Sequence, residues 1–507
     1  MALALTLSRA NRGIEAPLVS VETHLSNGLP AFTIVGLPEA AVKESRDRVR
    51  SAIINSHFDF PSRRITVNLA PADLPKEGSR FDLAIALGIL AASEQLHTDH
   101  LQDYEFIGEL ALSGELRYVT GLIPALIAAD SARTVLVSEA NRDEASLPIR
   151  ASTLTASHLL EVCAHLNRNQ KLTPISKIAP VLNPSLGADM ADISGQPQAR
   201  RALEIAAAGG HNLIFVGPPG TGKTMLASRI IGISPLLSEE SAIEVAAIQS
   251  LTGKATTLDN WRQRPFRNPH HSASAAAMVG GGSNPKPGEI SLSHKGVLFL
   301  DELPEFDRKV LEVLREPIES GKITISRATQ QVEYPAQFQL IAAMNPCPCG
   351  FYGDVRQDCT CSTAQIQRYR AKLSGPLLDR IDLHVSVTRM PAYMISQSAV
   401  SNENSAAIRA RVVAAQKRQA RARGKINAKL SARELIDNQW IEPEAINWLS
   451  DAIEALGLSA RAFHRLLRIG RTIADLDYCE QTSFDNAPVK TDHFKEALAY
   501  RQLDKKL

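Results

Sequence analysis

Residues 217–224 read GPPGTGKT, a glycine-rich loop that ends in a lysine and a hydroxyl. Gly217, Gly220 and Gly222 let the backbone turn its N–H groups inward around phosphate oxygens, with Pro218, Pro219 and Thr221 completing the loop. Lys223 then lies on the β and γ phosphates and the Thr224 hydroxyl on Mg²⁺. The apolar fragment LIFV before the loop reads as a buried strand, and residues 225–231 after it as a helix whose positive end faces the same phosphates. Strand, loop and helix in that order predict an ATP site.

Further parts of such a site follow downstream. Residues 296–303, GVLFLDEL, place two acids at the carboxyl end of a four-residue apolar strand, where parallel sheets gather their ligands. Asp301 is suited to hold hydrated Mg²⁺, and Glu302 to orient and polarise the attacking water. Another apolar strand, 338–345, ends in Asn345, whose amide can bond both the γ phosphate and the lytic water; a turn-forming asparagine before Pro346 is the alternative. Arg380, in SGPLLDRIDLH, is placed to reach a neighbouring subunit's γ phosphate with its planar fork, unless it pairs locally with Asp379 or Asp382. Arg461 opens a later helix and can meet the same nucleotide from a lid. Catalytic roles therefore fall to Lys223, Glu302, Asn345 and Arg380.

Three features point beyond ATP. Cys347, Cys349, Cys359 and Cys361 form a C-x-C, nine residues, C-x-C cluster, able to close a tetrahedral Zn²⁺ site or to remain as reduced thiols. From 405 to 433 there are nine Lys or Arg residues and no Asp or Glu. Within that run Lys417, Arg418 and Arg421 are candidates for DNA phosphates, although a solvated helix or one docked on acids of another subunit reads the same way. Residues 322–334, KITISRATQQVEY, alternate like a hairpin just before the Asn345 strand, with Lys322 and Arg327 as basic members that could follow the nucleotide state.

The elements that must hold these residues fall into three blocks. The chain has 507 residues, 44% hydrophobic and 22% charged, with a net charge of +2, the composition of a globular protein of about three domains. Residues 1–171 alternate strand patterns with apolar helices, 172–189 form a proline-containing linker, 190–395 carry the ATP motifs and the 347–361 insertion, and 405–507 are helical. The longest uncharged apolar run, 83–92, is too short to span a bilayer, and the first residues carry no leader pattern. No membrane partner and a cytoplasmic location are expected.

Taken together, GPPGTGKT, PHHSASAAAMVGGG before GEISLSHKGVLFLDELPEF, and SGPLLDRIDLH resemble the magnesium-chelatase-like branch of the AAA+ ATPases. Within it, they are most similar to the ComM (YifB-type) competence family. GLPEAAVKESRDRVRSAI and ITVNLAPADLPKEG extend the resemblance through the first block, and the His270 and His271 pair with Gly280 to Gly282 is its most specific signature. The resemblance implies an α/β fold throughout: an S5/Lon-protease-like N-terminal domain, an αβα P-loop core with a parallel sheet, and a helical lid. It also implies a homo-hexameric ring that hydrolyses ATP to move single-stranded and branched DNA. Such a ring would act as a branch-migration helicase in natural transformation, with recombination proteins as further partners. The Lon catalytic pair is missing: Arg80, next to Ser79, stands at the serine's place and Ile123 at the lysine's, so peptidase activity is not expected. A remodelling ATPase acting on a protein, or a chelatase-type motor subunit, is the competing reading.

Overall fold

The computed structural model describes residues 2–177, 189–253, 261–282, 285–326, 331–390, 402–438, 440–479 and 487–501. Arg327 and most of the 172–189 linker lie outside the described residues.

Strict alternation in the first block builds a half-buried sheet. In β2 (Leu18–Ser26) Val19, Val21, Thr23 and Leu25 point inward. It pairs antiparallel with β1 (Ala2–Arg9) on one side, while β3 (Ala31–Val35), α1 (Ala40–Asn55) and β4 (Arg64–Ala70) complete the layer in the order β1-β2-β4-β3. β3 is therefore an edge strand, parallel to β4. The uncharged run becomes α2 (Asp82–Ala92), buried along its whole length. A ten-residue apolar stretch is thus a core helix here, as its length required. A second, parallel sheet of β5 (Tyr104–Ile107), β6 (Thr134–Ser138) and β7 (Ser152–Ala156) follows. The start of the linker lies back on this domain: Ile175 N–H donates to Thr153 O at 2.9 Å.

The central block is a five-stranded, all-parallel sheet. After α3 (Pro197–Gly209) come β8 (Leu213–Val216), α4 (Lys223–Ser228), β9 (Phe266–Arg267) and β10 (Val297–Leu300). The hairpin β11 (Lys322–Ser326) and β12 (Gln331–Pro335) leads into β13 (Gln339–Met344) and then β14 (Leu383–Ser386). The spatial order is β9-β10-β13-β8-β14, so the acid strand, the asparagine strand and the loop strand end side by side. All four residues of β10 are buried, as a strand covered on both faces must be. The helix expected over 225–231 ends at Ser228 and resumes at Ile230 as a second short turn.

The longer helices of the last block are α5 (Ser405–Arg423), α6 (Pro443–Ala455), α7 (Ala460–Asp477) and α8 (Thr491–Ala499), with a short helix, Ala432–Asp437, between the first two. Val412, Leu466, Ile473 and Phe494 share one continuous apolar cluster with Leu203 of α3 and Phe215 of β8, so the lid and the ATP core bury a common interior.

The lid corrects the basic-run expectation. The stretch 405–433 has no acids in sequence, yet the fold brings acids and carbonyls to it from elsewhere. Arg409 donates to Gly232 O at 2.7 Å, and Arg411 bridges Glu204 and Glu403. Arg423 and Arg471 share the fully buried Asp475, while Lys425 pairs with Glu434 and Arg433 with Asp437. Arg418 is only 6% exposed and donates to Tyr478 O, which removes it from the DNA candidates. Lys417 and Arg421 stay on the exposed face of α5.

Candidate nucleotide site and its surroundings

The loop after β8 leaves the carboxyl edge of the sheet between β13 and β14. Gly220 and Gly222 have φ of +76° and +83° with open space where a Cβ would point, so their requirement is conformational. Gly217 is needed for another reason: a Cβ there would sit 2.1 Å from Val387 O beside β14. Thr221 Oγ1 closes the turn by donating to Pro218 O at 2.9 Å.

Lys223 lies inside that turn, its ammonium donating to Gly217 O and Pro218 O at 2.8 Å and to Asn345 Oδ1 at 3.1 Å. Burial pushes its pKa below the usual lysine range, and the Asp301 and Glu302 carboxylates oppose that shift. Thr224 Oγ1 donates to Asp301 Oδ2 at 2.6 Å, bringing a hydroxyl and a carboxylate from two elements together as an oxygen donor set for a hard divalent ion. Thus Lys223, Thr224, Asp301, Glu302 and Asn345 meet at one end of the sheet.

Glu302 sits just past β10 in the left-handed region, φ +52°. Its Oε2 lies 3.3 Å from His271 Nδ1, and the His271 ring packs against His270 with centroids 4.1 Å apart and the planes tilted by 34°. The parallel pairing of β9 with β10 explains the approach, since it runs residues 268–271 out beside the acid pair. The sequence marked the histidines only as a signature. Nothing in their spacing announced contact with Glu302, because the two segments are joined through tertiary strand pairing.

The two arginines lie apart from this cluster. Arg380 Nη2 pairs with Glu319 at 2.6 Å and Nη1 donates to Pro376 O at 2.6 Å, so its local partner is neither of the neighbouring aspartates. Arg461 Nη1 pairs with Asp379 Oδ2 at 2.9 Å and is 67% exposed. Among the described residues neither touches the loop or the acid pair of its own chain, while Asp379 places the two arginines on one side of the molecule.

The cysteines converge. All four Sγ atoms lie within 4.8 Å of one another, with Cys347–Cys349 at 3.3 Å and both Cys347–Cys359 and Cys349–Cys359 at 3.6 Å. Tetrahedral thiolates at about 2.3 Å from zinc lie about 3.8 Å apart, so the donor set fits. Backbone N–H groups of Tyr352 and Cys349 point at the Cys347 and Cys361 sulfurs, and the Phe351 N–H helps hold the Cys349 thiol down to about 5. This insertion abuts the nucleotide loop: a Cβ on Gly350 would lie 2.6 Å from Pro219 Cδ. Nothing in the spacing of the cysteines announced that neighbour.

The hairpin rests on the N-terminal domain. Ile323, Ile325, Val332 and Tyr334 face inward, and a Cβ on Gly13 would meet Val332 Cγ1 at 2.4 Å. Lys322 pairs with Glu333 at 2.8 Å, both well exposed. In the same domain Arg80 is buried, donating to Asn11 Oδ1 and Thr120 O, and Ile123 has no exposure. Ser79 donates to the Glu109 carboxylate.

Comparison with known proteins matches residues 189–395 to "Magnesium chelatase, subunit ChlI", 21–141 to "Subunit ChlI of Mg-chelatase", and 402–501 to "Magnesium chelatase, subunit ChlI C-terminal". The chain is 52% identical to the competence protein ComM of Haemophilus influenzae over 99% of its own length and 98% of that protein. It is 51% identical to the protein YifB of Salmonella typhimurium, covering 100% and 98% respectively. Similarity to Lon protease 2 of Bacillus subtilis is weaker, 24% over 38% of each chain. Among the described residues no helix is long and apolar enough to cross a membrane.

Proposed function

We propose, from the premise that this chain belongs to the magnesium-chelatase-like AAA+ ATPases and to their ComM/YifB group, that it is an ATP-driven ring motor acting on DNA. The observation that carries the reading is the division of the site: the phosphate-facing residues gather at one sheet end, and Arg380 and Arg461 lie away from them. A nucleotide seam between two copies joins both halves, and repetition of that seam closes a ring, taken to be hexameric.

ATP is the substrate. Lys223 exchanges its loop carbonyls for phosphate oxygens, Thr224 and Asp301 hold Mg²⁺, and Glu302 aligns the attacking water with Asn345 reading the γ phosphate. The metal supplies charge neutralisation on the phosphates. Arg380 leaves Glu319 for the neighbour's transferring group, with Arg461 beside it. Only the carboxylate it leaves is well exposed, and that returns to water; the Arg380 side chain itself is 17% exposed. His271 restrains the Glu302 carboxylate. Cys347, Cys349, Cys359 and Cys361 hold structural Zn²⁺, fixing the insertion against Pro219.

The hairpin leads directly into the strand that ends at Asn345, which supports it as the element that carries nucleotide state to DNA. Lys322 and Arg327 are its phosphate contacts, with Lys417 and Arg421 secondary. The relative named a competence protein points to DNA taken up and recombined, and branch migration is the activity proposed.

The test is ATP-dependent migration of synthetic Holliday junctions and displacement on forked substrates. Activity that needs ATP and falls with rising salt is expected. If the purified protein binds no DNA at low ionic strength, the reading as a DNA motor is overturned in favour of remodelling a protein partner.

A further inference from the structure

A net basic groove of the kind that α5 does not provide exists in the N-terminal domain. Between α1, the edge strand β3 and the loop before β4 lies a groove of about 560 Å³. Phe32, Phe58 and Phe60 line it, each half-buried, resting one side on the domain core. The Phe32 and Phe60 rings are 6.1 Å apart at 47°. The Arg50 guanidinium lies 5.4 Å from the Phe60 centroid. Arg46, one turn earlier on the same face of α1, and Arg63 on the opposite wall complete the lining.

The charge is available for a ligand. Arg46, Arg50 and Arg63 are all exposed, and none forms a salt bridge among the described residues. Arg48 of the same helix, by contrast, is tied to Asp82 at 2.8 Å. Asp47 and Asp59 are the acids of the groove, leaving it positive.

We infer that this groove is a single-strand DNA site, in which one or two bases stack on the phenylalanines beside Arg50 while Arg46 and Arg63 take the flanking phosphates. Aromatic faces interleaved with arginines that sit outside any ion pair among the described residues, Arg46 donating only to Lys43 O, suit unstacked bases, which present flat faces and a charged backbone together. An acidic peptide would satisfy the arginines and leave the rings without a matching surface. A duplex keeps its base faces covered. The inference rests on the DNA reading above and locates a contact outside the motor core.

The test uses the full-length protein and fluorescence anisotropy with oligo(dT) and with an abasic oligomer of equal length. Wild type should prefer oligo(dT) by on the order of tenfold, the scale of base–aromatic stacking. Phe60→Ala should abolish the preference and Phe60→Trp should keep it. Arg46→Gln with Arg63→Gln, exposed positions that do not threaten folding, should weaken both ligands. It should also lower the salt slope by about 1.4, since each single-strand phosphate contact contributes about 0.7. A wild type that binds oligo(dT) with Phe60→Ala preserving the full preference overturns the groove and leaves the DNA motor standing. Displacement of oligo(dT) by polyglutamate, lost in the arginine double variant, would reassign the groove to an acidic peptide. No DNA binding by wild type at low salt would refute the DNA reading itself.

Discussion

Gly222→Ala and Gly217→Ala should fail in different ways, because the two glycines answer different constraints. At Gly222 φ is +83° with nothing within 4 Å of the position a Cβ would take. Alanine there meets no obstacle and suffers only the left-handed penalty, about 1 to 2 kcal/mol for an L residue. If the loop can relax to right-handed backbone in the free protein, that penalty is levied when the loop closes on phosphate. Nucleotide affinity then drops about 5- to 30-fold, at 1.4 kcal/mol per decade, with little change in thermal midpoint. At Gly217 the new methyl would lie 2.1 Å from Val387 O, well inside van der Waals contact, so β8 and the segment following β14 must separate. That variant should lose several degrees of thermal stability and bind nucleotide poorly for structural reasons. Equilibrium titration with a fluorescent ATP analogue, beside differential scanning fluorimetry, separates the two. Wild-type affinity in Gly222→Ala, or an unshifted midpoint in Gly217→Ala, would refute the reasoning.

Glu302→Gln should keep nucleotide binding and nearly abolish steady-state hydrolysis; a normal turnover rate would remove Glu302 from its role. One zinc per chain should appear by elemental analysis and disappear in Cys359→Ser together with part of the stability of the nucleotide loop, read as a raised KM for ATP. Asp475→Asn takes from Arg423 and Arg471 their shared buried carboxylate and should destabilise the lid by about 3 to 5 kcal/mol, measured by urea unfolding. Burial and the nearby Glu39 raise the Glu77 carboxyl to about 7. A carboxyl whose folded pKa lies above its unfolded value binds more protons when folded, so its contribution to stability falls as pH rises from about 4.5 to about 7. Thermal midpoints across that window should decline less in Glu77→Gln than in wild type.

What the sequence disclosed depended on whether a function is local. The loop 217–224, the acid pair after β10 and Asn345 after β13 are each read within one strand and turn, and the parallel sheet merely lines them up. The four cysteines were legible by count and their convergence follows from it. His271 beside Glu302 was hidden because strand pairing, invisible in a single sequence, brings it there. The basic run misled for the matching reason: no acid occurs within 405–433, but Glu204, Glu403 and Asp475 arrive from outside that stretch. The phenylalanine and arginine groove was likewise scattered over three elements, each reading as ordinary strand, helix or loop.

The claim on which the rest depends is that hydrolysis takes place across a seam between two copies. Mixing Lys223→Ala chains with Arg380→Ala chains, each inactive alone, tests it directly through ATPase rate against mixing ratio. Recovered hydrolysis is predicted, since an intact loop from one variant then faces an intact arginine from the other. No recovery at any ratio, with both variants assembling normally, would contradict it.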